Sequence, residues 1–220
     1  MDPDFWRSRW AKNEIGFHQA GATPALVRHV AQLGPAPQRV LVPLSGKTKD
    51  LRFLAEAGHH PIGVELVEDA VRAYYDEEKI VPTRAEARTY VRYDGGGVTT
   101  YAADFFALDW AAVGPIDRVV DRAAMVALPP SLRARYTQQL LSLLGPGARS
   151  LIVTFDHDLP SEGPPFSISV AELTQTYQAH GQLTLLETVD AFDDNPRFRE
   201  RGATRLSESL VLFTRGTQQK

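Results

Sequence analysis

Apolar and polar positions fall into blocks along this chain. Residues 39–44 are an apolar run that turns at Ser45, Gly46 and Lys47, and a second apolar run occupies 62–65. Short apolar runs bounded by turn residues read as buried strands. Between them, Asp50 to Ala57 reads as a helix with Leu51, Phe53 and Leu54 inward, closed by Gly58. Strand, Gly-containing turn, helix and strand make the first half of a doubly wound α/β sheet, in which ligands sit beyond the carboxyl ends of the strands. Glu68 and Asp69 favour the start of a further helix, continued by Ala70, Val71, Tyr74 and Tyr75 and limited by Pro82. Residues 83–88 are charged and patternless. The segments 89–93 and 98–101 alternate at period two around Asp94 and three glycines, which predicts a hairpin. Residues 116–121 predict another strand, 131–144 an amphipathic helix ended by Gly145, Pro146 and Gly147, and 150–155 the strongest buried strand. A helix over 170–179 and strands over 183–189 and 209–214 follow, and the last two, with no full helix between them, suggest an antiparallel hairpin at the sheet edge.

Ahead of the sheet, Phe5, Trp6, Trp10, Phe17 and His18 crowd into a short stretch. Helical spacing allows two readings: a helix stapled to the core, or a cover over a pocket. Thr23 and Pro24 supply an N-cap and a first-position proline for a helix with Leu26, Val27, Val30 and Leu33 on one face. Residues 34–37, rich in Pro and Gly, end it.

The formal net charge is −3, which gives no broad basic field for nucleic acid or an anionic membrane. A small-molecule partner is expected, with no nucleic acid and no membrane. There is no cysteine, which removes disulfides, thiolate nucleophiles and cysteine-ligated zinc. His59, His60 and His157 lack ligand spacing, so no metal is expected. Met1, Asp2, Pro3 and Asp4 do not resemble a secretory signal, and no apolar run approaches the roughly 18–20 residues of a membrane span. Together these give a cytoplasmic expectation.

Ser45-Gly46-Lys47-Thr48 matches the end of a phosphate-binding P-loop, but the second glycine that loop needs is replaced by Leu41. Gly46 also lacks the companions of a dinucleotide-binding G-x-G-x-x-G turn. Glu65 follows Gly46 by nineteen positions, near the spacing of about twenty residues at which a carboxylate takes a ribose diol. An adenosine-containing ligand without phosphates fits what remains, and S-adenosylmethionine is the common choice. A surface glutamate ending a strand in any α/β protein would look the same.

Phe5, Trp6 and Trp10, then 15–19, 42–47, 63–65, 104–106, 121–124 with 127–130, and 163–166 together resemble the thiopurine S-methyltransferase family in order and spacing. The resemblance runs from about residue 5 to residue 214. It implies a three-layer, Rossmann-like class I methyltransferase fold: a mostly parallel seven-stranded sheet with an antiparallel edge strand and an N-terminal helical lid. It implies one methyltransferase domain over 1–220, with a lid segment and first helix in 1–35, a core in 36–215 and a tail in 216–220, acting as a monomer. S-adenosylmethionine is then the cofactor and S-adenosylhomocysteine the product. Cofactor contacts carry over to Trp10, Leu44, Gly46, Glu65, Leu66 and Arg122, with Asp104 and Phe105 beside the adenine. Acceptor positioning carries over to Phe17, His18, Arg122, Asp158, Phe166 and Arg197.

The implied acceptor is the thiol of a small aromatic heterocycle. Alternatives are halide or selenium and tellurium species, or a catalytically degenerate cofactor-binding protein. A sulfonium donor is already activated, and a free thiol has a pKa of about 8.5, with aromatic thiols more acidic, so no strong base is required. His18 or Asp158 could still relay a proton. Arg122 could equally form a structural ion pair with Asp121 or Asp117. Two departures from the family pattern stand out: Ser45 where it commonly has cysteine, and an acidic pair, Asp193 and Asp194, in the stretch 192–199 that leaves Arg197 and Arg199 both candidates.

Overall fold

Strand β1 (Arg39–Pro43) forms where Val40, Leu41 and Val42 are each 1% exposed or less, since a strand covered on both faces tolerates no polar alternation. A computed structural model describes residues 3–122, 124–160 and 163–216 of the chain. Met1 and Asp2 of the acidic opening, Ala123 of the 121–124 motif and residues 217–220 of the tail lie outside the described residues. The chain packs as two compact units, Met1–Val120 and Asp121–Lys220.

In the first unit, β1 pairs in parallel with β2 (His60–Glu65) on one side and with β6 (Ile116–Arg122) on the other. The chain thus reverses its direction of travel across the sheet at β1, and the crevice beyond that strand's carboxyl end is where an α/β sheet binds ligands. Beyond β2 lie β5 (Val98–Ala102, parallel to β2), then β4 (Val91–Gly95) and β3 (Thr83–Glu86), both antiparallel. Helix α3 (Asp50–Glu56) packs on β2, and α4 (Glu68–Glu77) packs on β2 and β5. Tyr74 and Tyr75 of α4 are buried, and the Tyr75 hydroxyl donates toward the Tyr93 carbonyl at 3.1 Å.

The N-terminal segment holds α1 (Pro3–Ala11), α2 (Pro24–His29) and a 3-10 turn (Val30–Leu33). No residue of α1 is fully buried; its aromatic rings lie half-buried against one another. Asp50, fully buried at the start of α3, accepts both the Thr23 N–H (2.6 Å) and the Thr23 hydroxyl (2.9 Å), which ties the entrance of α2 to the sheet layer.

In the second unit, α7 (Pro130–Leu143) runs directly into β7 (Leu144–His157), which pairs antiparallel with β9 (Leu206–Arg215), and β9 pairs antiparallel with β8 (Gly181–Asp190). The late hairpin is present as expected, with a bulge between Leu185 and Glu187. Helix α8 (Val170–Tyr177), capped by the Ser169 hydroxyl accepting from the Glu172 N–H at 3.1 Å, packs on β8 and β9. Short helices α5 (Trp110–Val113), α6 (Ala124–Ala127) and α9 (Pro196–Glu200) complete the elements.

Several expectations are corrected. Nine strands are described rather than seven. One addition is β3, in the stretch 83–88 that reads as patternless because all four strand residues are exposed and an edge strand needs no buried face. Val27 is 46% exposed, because the helical turn tightens to 3-10 at Val30 and its apolar stripe shifts. Phe53 is half-buried rather than fully inward.

Candidate functional site

Beyond β1 the backbone turns through two left-handed positions, Leu44 (φ 47°) and Gly46 (φ 54°). Such a conformation suits glycine and strains leucine, and strain of this kind collects at ligand-binding turns. A side chain at Gly46 would also meet the Trp10 ring, 3.1 Å from where its Cβ would stand. The Ser45 N–H donates to the Val64 carbonyl at 3.0 Å, which fixes the turn against β2. Ser45 Oγ is enclosed and without a hydrogen-bond partner. Its serine keeps the compact size of the family's usual cysteine, and the turn forms.

Glu65 ends β2 and is only 6% exposed. Its Oε2 accepts the Gly46 N–H at 2.8 Å and its Oε1 the Val67 N–H at 2.8 Å. Burial pushes this carboxyl above its ordinary range, and the N–H groups of Val67, Gly46 and Leu66 oppose that rise. A buried carboxylate beside a turn of outward peptide groups, with no glycine-rich cradle for phosphate, fits a nucleoside carrying no diphosphate. The residues present therefore suit an adenosyl group, with Glu65 to take ribose hydroxyls and Leu44 and Gly46 to offer backbone.

The same unit gathers most of the other sequence-predicted residues. Trp10 is half-buried, and its ring meets Phe17 edge-on at 5.9 Å, as does that of Trp6 at 5.9 Å. His18 Nε2 stands 3.7 Å from Glu77. Asp104 is exposed and accepts the Phe106 N–H at 2.8 Å, which shapes the turn after β5. Phe105 is 1% exposed and packed edge-on against Phe106 and Trp110, so its ring belongs to the core. Leu66 is half-buried beside Glu65.

The second unit holds the remainder. Asp121 is fully buried; its Oδ2 accepts the Tyr136 hydroxyl at 2.7 Å and its Oδ1 the Met125 N–H at 3.2 Å. Burial pushes its carboxyl up to about 6 against those two bonds and a third from the Ala124 N–H. Arg122 is half-buried at the end of β6; in the first unit, Asp117 accepts the Arg39 N–H at 2.8 Å. Asp158 accepts the Thr204 hydroxyl and N–H and the Arg205 N–H, which hold its carboxyl down at about 2. These bonds make Asp158 an anchor for the loop at 204–205. Phe166 is buried, donates its N–H to the Val126 carbonyl at 2.7 Å, and lies under the Arg133 guanidinium at 5.7 Å. Arg197 is exposed on α9, whereas Arg199 is engaged by Asp193 at 2.6 Å and lies over Phe192.

Sequence reasoning missed two groups. Glu77 ends α4 and meets Lys47 at 2.6 Å and Lys49 at 3.5 Å. An acidic pair at a helix carboxyl terminus opposes the helix dipole, and that mismatch was a readable sign of nearby cations. His157 Nδ1 accepts the Leu159 N–H at 3.2 Å, so its Nε2 carries the proton and donates to the Pro165 carbonyl at 3.0 Å. No local pattern announces that role, because Pro165 lies eight residues away.

The chain matches the thiopurine S-methyltransferase family model over residues 1–216. It is 42% identical to a thiopurine S-methyltransferase of Azotobacter vinelandii over 98% of this chain and 100% of that one, and 40% identical to one of Nitrosospira multiformis over 97% and 98%. Its fold is similar to that of a Burkholderia thailandensis 1,6-didemethyltoxoflavin-N1-methyltransferase solved with 1,6-didemethyltoxoflavin and S-adenosylhomocysteine (TM-score 0.66, 21% identity, covering 97% of this chain and 86% of that one). A TehB-like methyltransferase of Corynebacterium glutamicum has a TM-score of 0.55 at 13% identity, covering 97% of each chain. No helix among the described residues is long and apolar enough to cross a membrane. With the strand-end carboxylate and the strained turn in place, the chain belongs to the thiopurine S-methyltransferase family and is an S-adenosylmethionine-dependent methyltransferase of the class I α/β fold.

Proposed function

We propose that this enzyme methylates the sulfur of a small aromatic or heterocyclic thiol. The observation that carries the reading is identity of about 40% along the full length of relatives named thiopurine S-methyltransferase, spanning the acceptor-side segments as well as the cofactor turn. S-adenosylmethionine, when bound, supplies a methyl group on a cationic sulfur already activated for attack. Glu65 would hold the ribose hydroxyls, Leu44 and Gly46 the backbone around them, and Leu66, Asp104 and the Phe105 backbone the adenine. The Trp10 ring would cover the cation, since an aromatic face attracts positive charge. Arg122 would pair with the methionine carboxylate or the acceptor's anion.

On the acceptor side, Phe17 and His18 of the first unit would contact an aromatic ring, and Phe166 and Arg197 are acceptor-positioning candidates by the family resemblance. Asp158 contributes by fixing residues 204–205. The task left to these groups is alignment and exclusion of water, because an aromatic thiol is largely ionised near neutrality and its proton passes to solvent.

A screen with labelled S-adenosylmethionine over thiopurines, thiophenols, selenite and iodide tests the proposal. Methylated thiopurine and thiophenol are the expected products. Turnover of selenite or iodide with none of the thiols would overturn it in favour of a chalcogen or halide acceptor.

A further inference from the structure

The cofactor turn and the aromatic segment of the first unit are joined by two routes that form a closed ring. On one side, the Trp10 ring lies close against Gly46, 3.1 Å from the position a Cβ would take there, and Phe17 packs edge-on to Trp10 at 5.9 Å. On the other, His18 faces Glu77 at 3.7 Å, Glu77 pairs with Lys47 at 2.6 Å, and Lys47 is the residue next to Gly46. Glu77 also meets Lys49 at 3.5 Å, while Lys49 is shared with Glu78 at 2.7 Å. Lys47 keeps 13% of its side chain exposed and Glu77 37%, so the bridge is sheltered on the lysine side only. The Lys47 hydrogen bond, with the charges of Lys47 and Lys49 beside it, holds the Glu77 carboxyl below its ordinary range.

We infer that Glu77 is a positioning residue that clasps the Trp10–His18 segment onto the cofactor turn, so that the cover over the adenosyl ligand is held in place by a group that never touches it. The α1 segment needs such a device because it buries no residue fully and has little apolar adhesion of its own. The edge-on rings of Trp10 and Phe17 restrain the segment at the turn, and the Glu77 bridge adds a further point of attachment that limits its freedom to swing. This inference rests on the reading of Trp10 and Gly46 as cofactor contacts.

The experiment uses the full chain with Trp6→Phe and Trp110→Phe, leaving Trp10 as the sole tryptophan. Acrylamide quenching of its fluorescence reports how well the segment is seated, and calorimetric titration with S-adenosylhomocysteine reports the site. Glu77→Gln is expected to raise quenching about twofold and weaken binding about tenfold, because apparent affinity scales with the fraction of closed molecules. His18→Gln should do the same, and the double variant should be no worse than the more affected single one, since both break one bridge. Were Glu77→Gln to unfold the chain, His18→Gln on its exposed segment would still read the clasp. Unchanged Trp10 quenching in the folded single variants overturns the proposal, and so does raised quenching with unaltered binding while Glu65→Ala abolishes it. If Glu65→Ala leaves binding intact, the cofactor reading is what fails, and the quenching alone decides the clasp.

Discussion

At the carboxyl end of β2, Glu65 is buried and both its oxygens take backbone N–H groups, whereas beyond β7 the exposed Asp158 holds its loop through Thr204 and Arg205. The first arrangement is built from peptide groups whose positions the sheet dictates. The second also takes peptide N–H groups, from Thr204 and Arg205, but it adds the Thr204 hydroxyl and stands on exposed loops, as the Arg199–Asp193 pair does on the short α9. Peptide donors survive every substitution except proline, which has no N–H, so the Glu65 corner depends on a single carboxylate and two unusual φ angles. Contacts on exposed loops can be exchanged one at a time, the property expected of the acceptor side proposed above.

The largest expected effect lies at Glu65. Glu65→Ala removes the charged acceptor of the Gly46 and Val67 N–H groups, and titration should show S-adenosylhomocysteine affinity falling on the order of 100-fold, the scale of two charge-assisted hydrogen bonds. A loss comparable to that of an acceptor-side variant would remove the distinction between the two regions.

Next comes the second unit's own buried carboxylate. Tyr136→Phe leaves Asp121 Oδ2 without its 2.7 Å donor, and urea unfolding should show about 1–3 kcal/mol lost with cofactor affinity little changed. The same carboxyl gives a pH signature. Its value rises from 3.8 unfolded to about 6 folded, so between these the native state binds more protons than the unfolded chain. Its contribution is full below about pH 4 and is lost as pH rises through about 6, a change of roughly 3 kcal/mol that Asp121→Asn should abolish.

His157→Ala should cost about 1–2 kcal/mol by stranding the Leu159 N–H and the Pro165 carbonyl, raise KM for the acceptor, and leave S-adenosylhomocysteine affinity unaltered. Burial lowers this imidazole's pKa, so the stability it lends is present above its unfolded value of about 6.5 and is lost as acid protonates it in the native state. An equal fall in cofactor affinity would break the comparison. The smallest effect is at Arg199, whose pair with Asp193 is mostly exposed; Arg199→Ala should move the unfolding midpoint by no more than about 0.5 kcal/mol while shifting acceptor KM.

Much of the cofactor corner was legible in order along the chain. The apolar runs, Gly46 and Glu65 are local signals, because burying a strand and turning its end constrain neighbouring residues. The buried-strand run at 150–155 and the late hairpin were legible for the same reason. Edge strand β3 was not, since its residues face solvent and carry no apolar pattern. Nor was the seating of Asp158, whose partner Thr204 lies 46 residues away and whose acidity follows from that contact. Phe105 illustrates a mixed case: its motif marked the position, but only packing showed that the ring fills the core.

The sequence by itself determined the family, the strand–turn–strand frame and the kind of ligand that frame can take, because hydrophobic periodicity and turn residues act over a few positions. The tertiary structure alone decided which charges meet. Lys47 and Glu77 are 30 residues apart and Asp158 and Thr204 are 46 apart, and electrostatic partners are chosen by distance in space, which chain order does not encode.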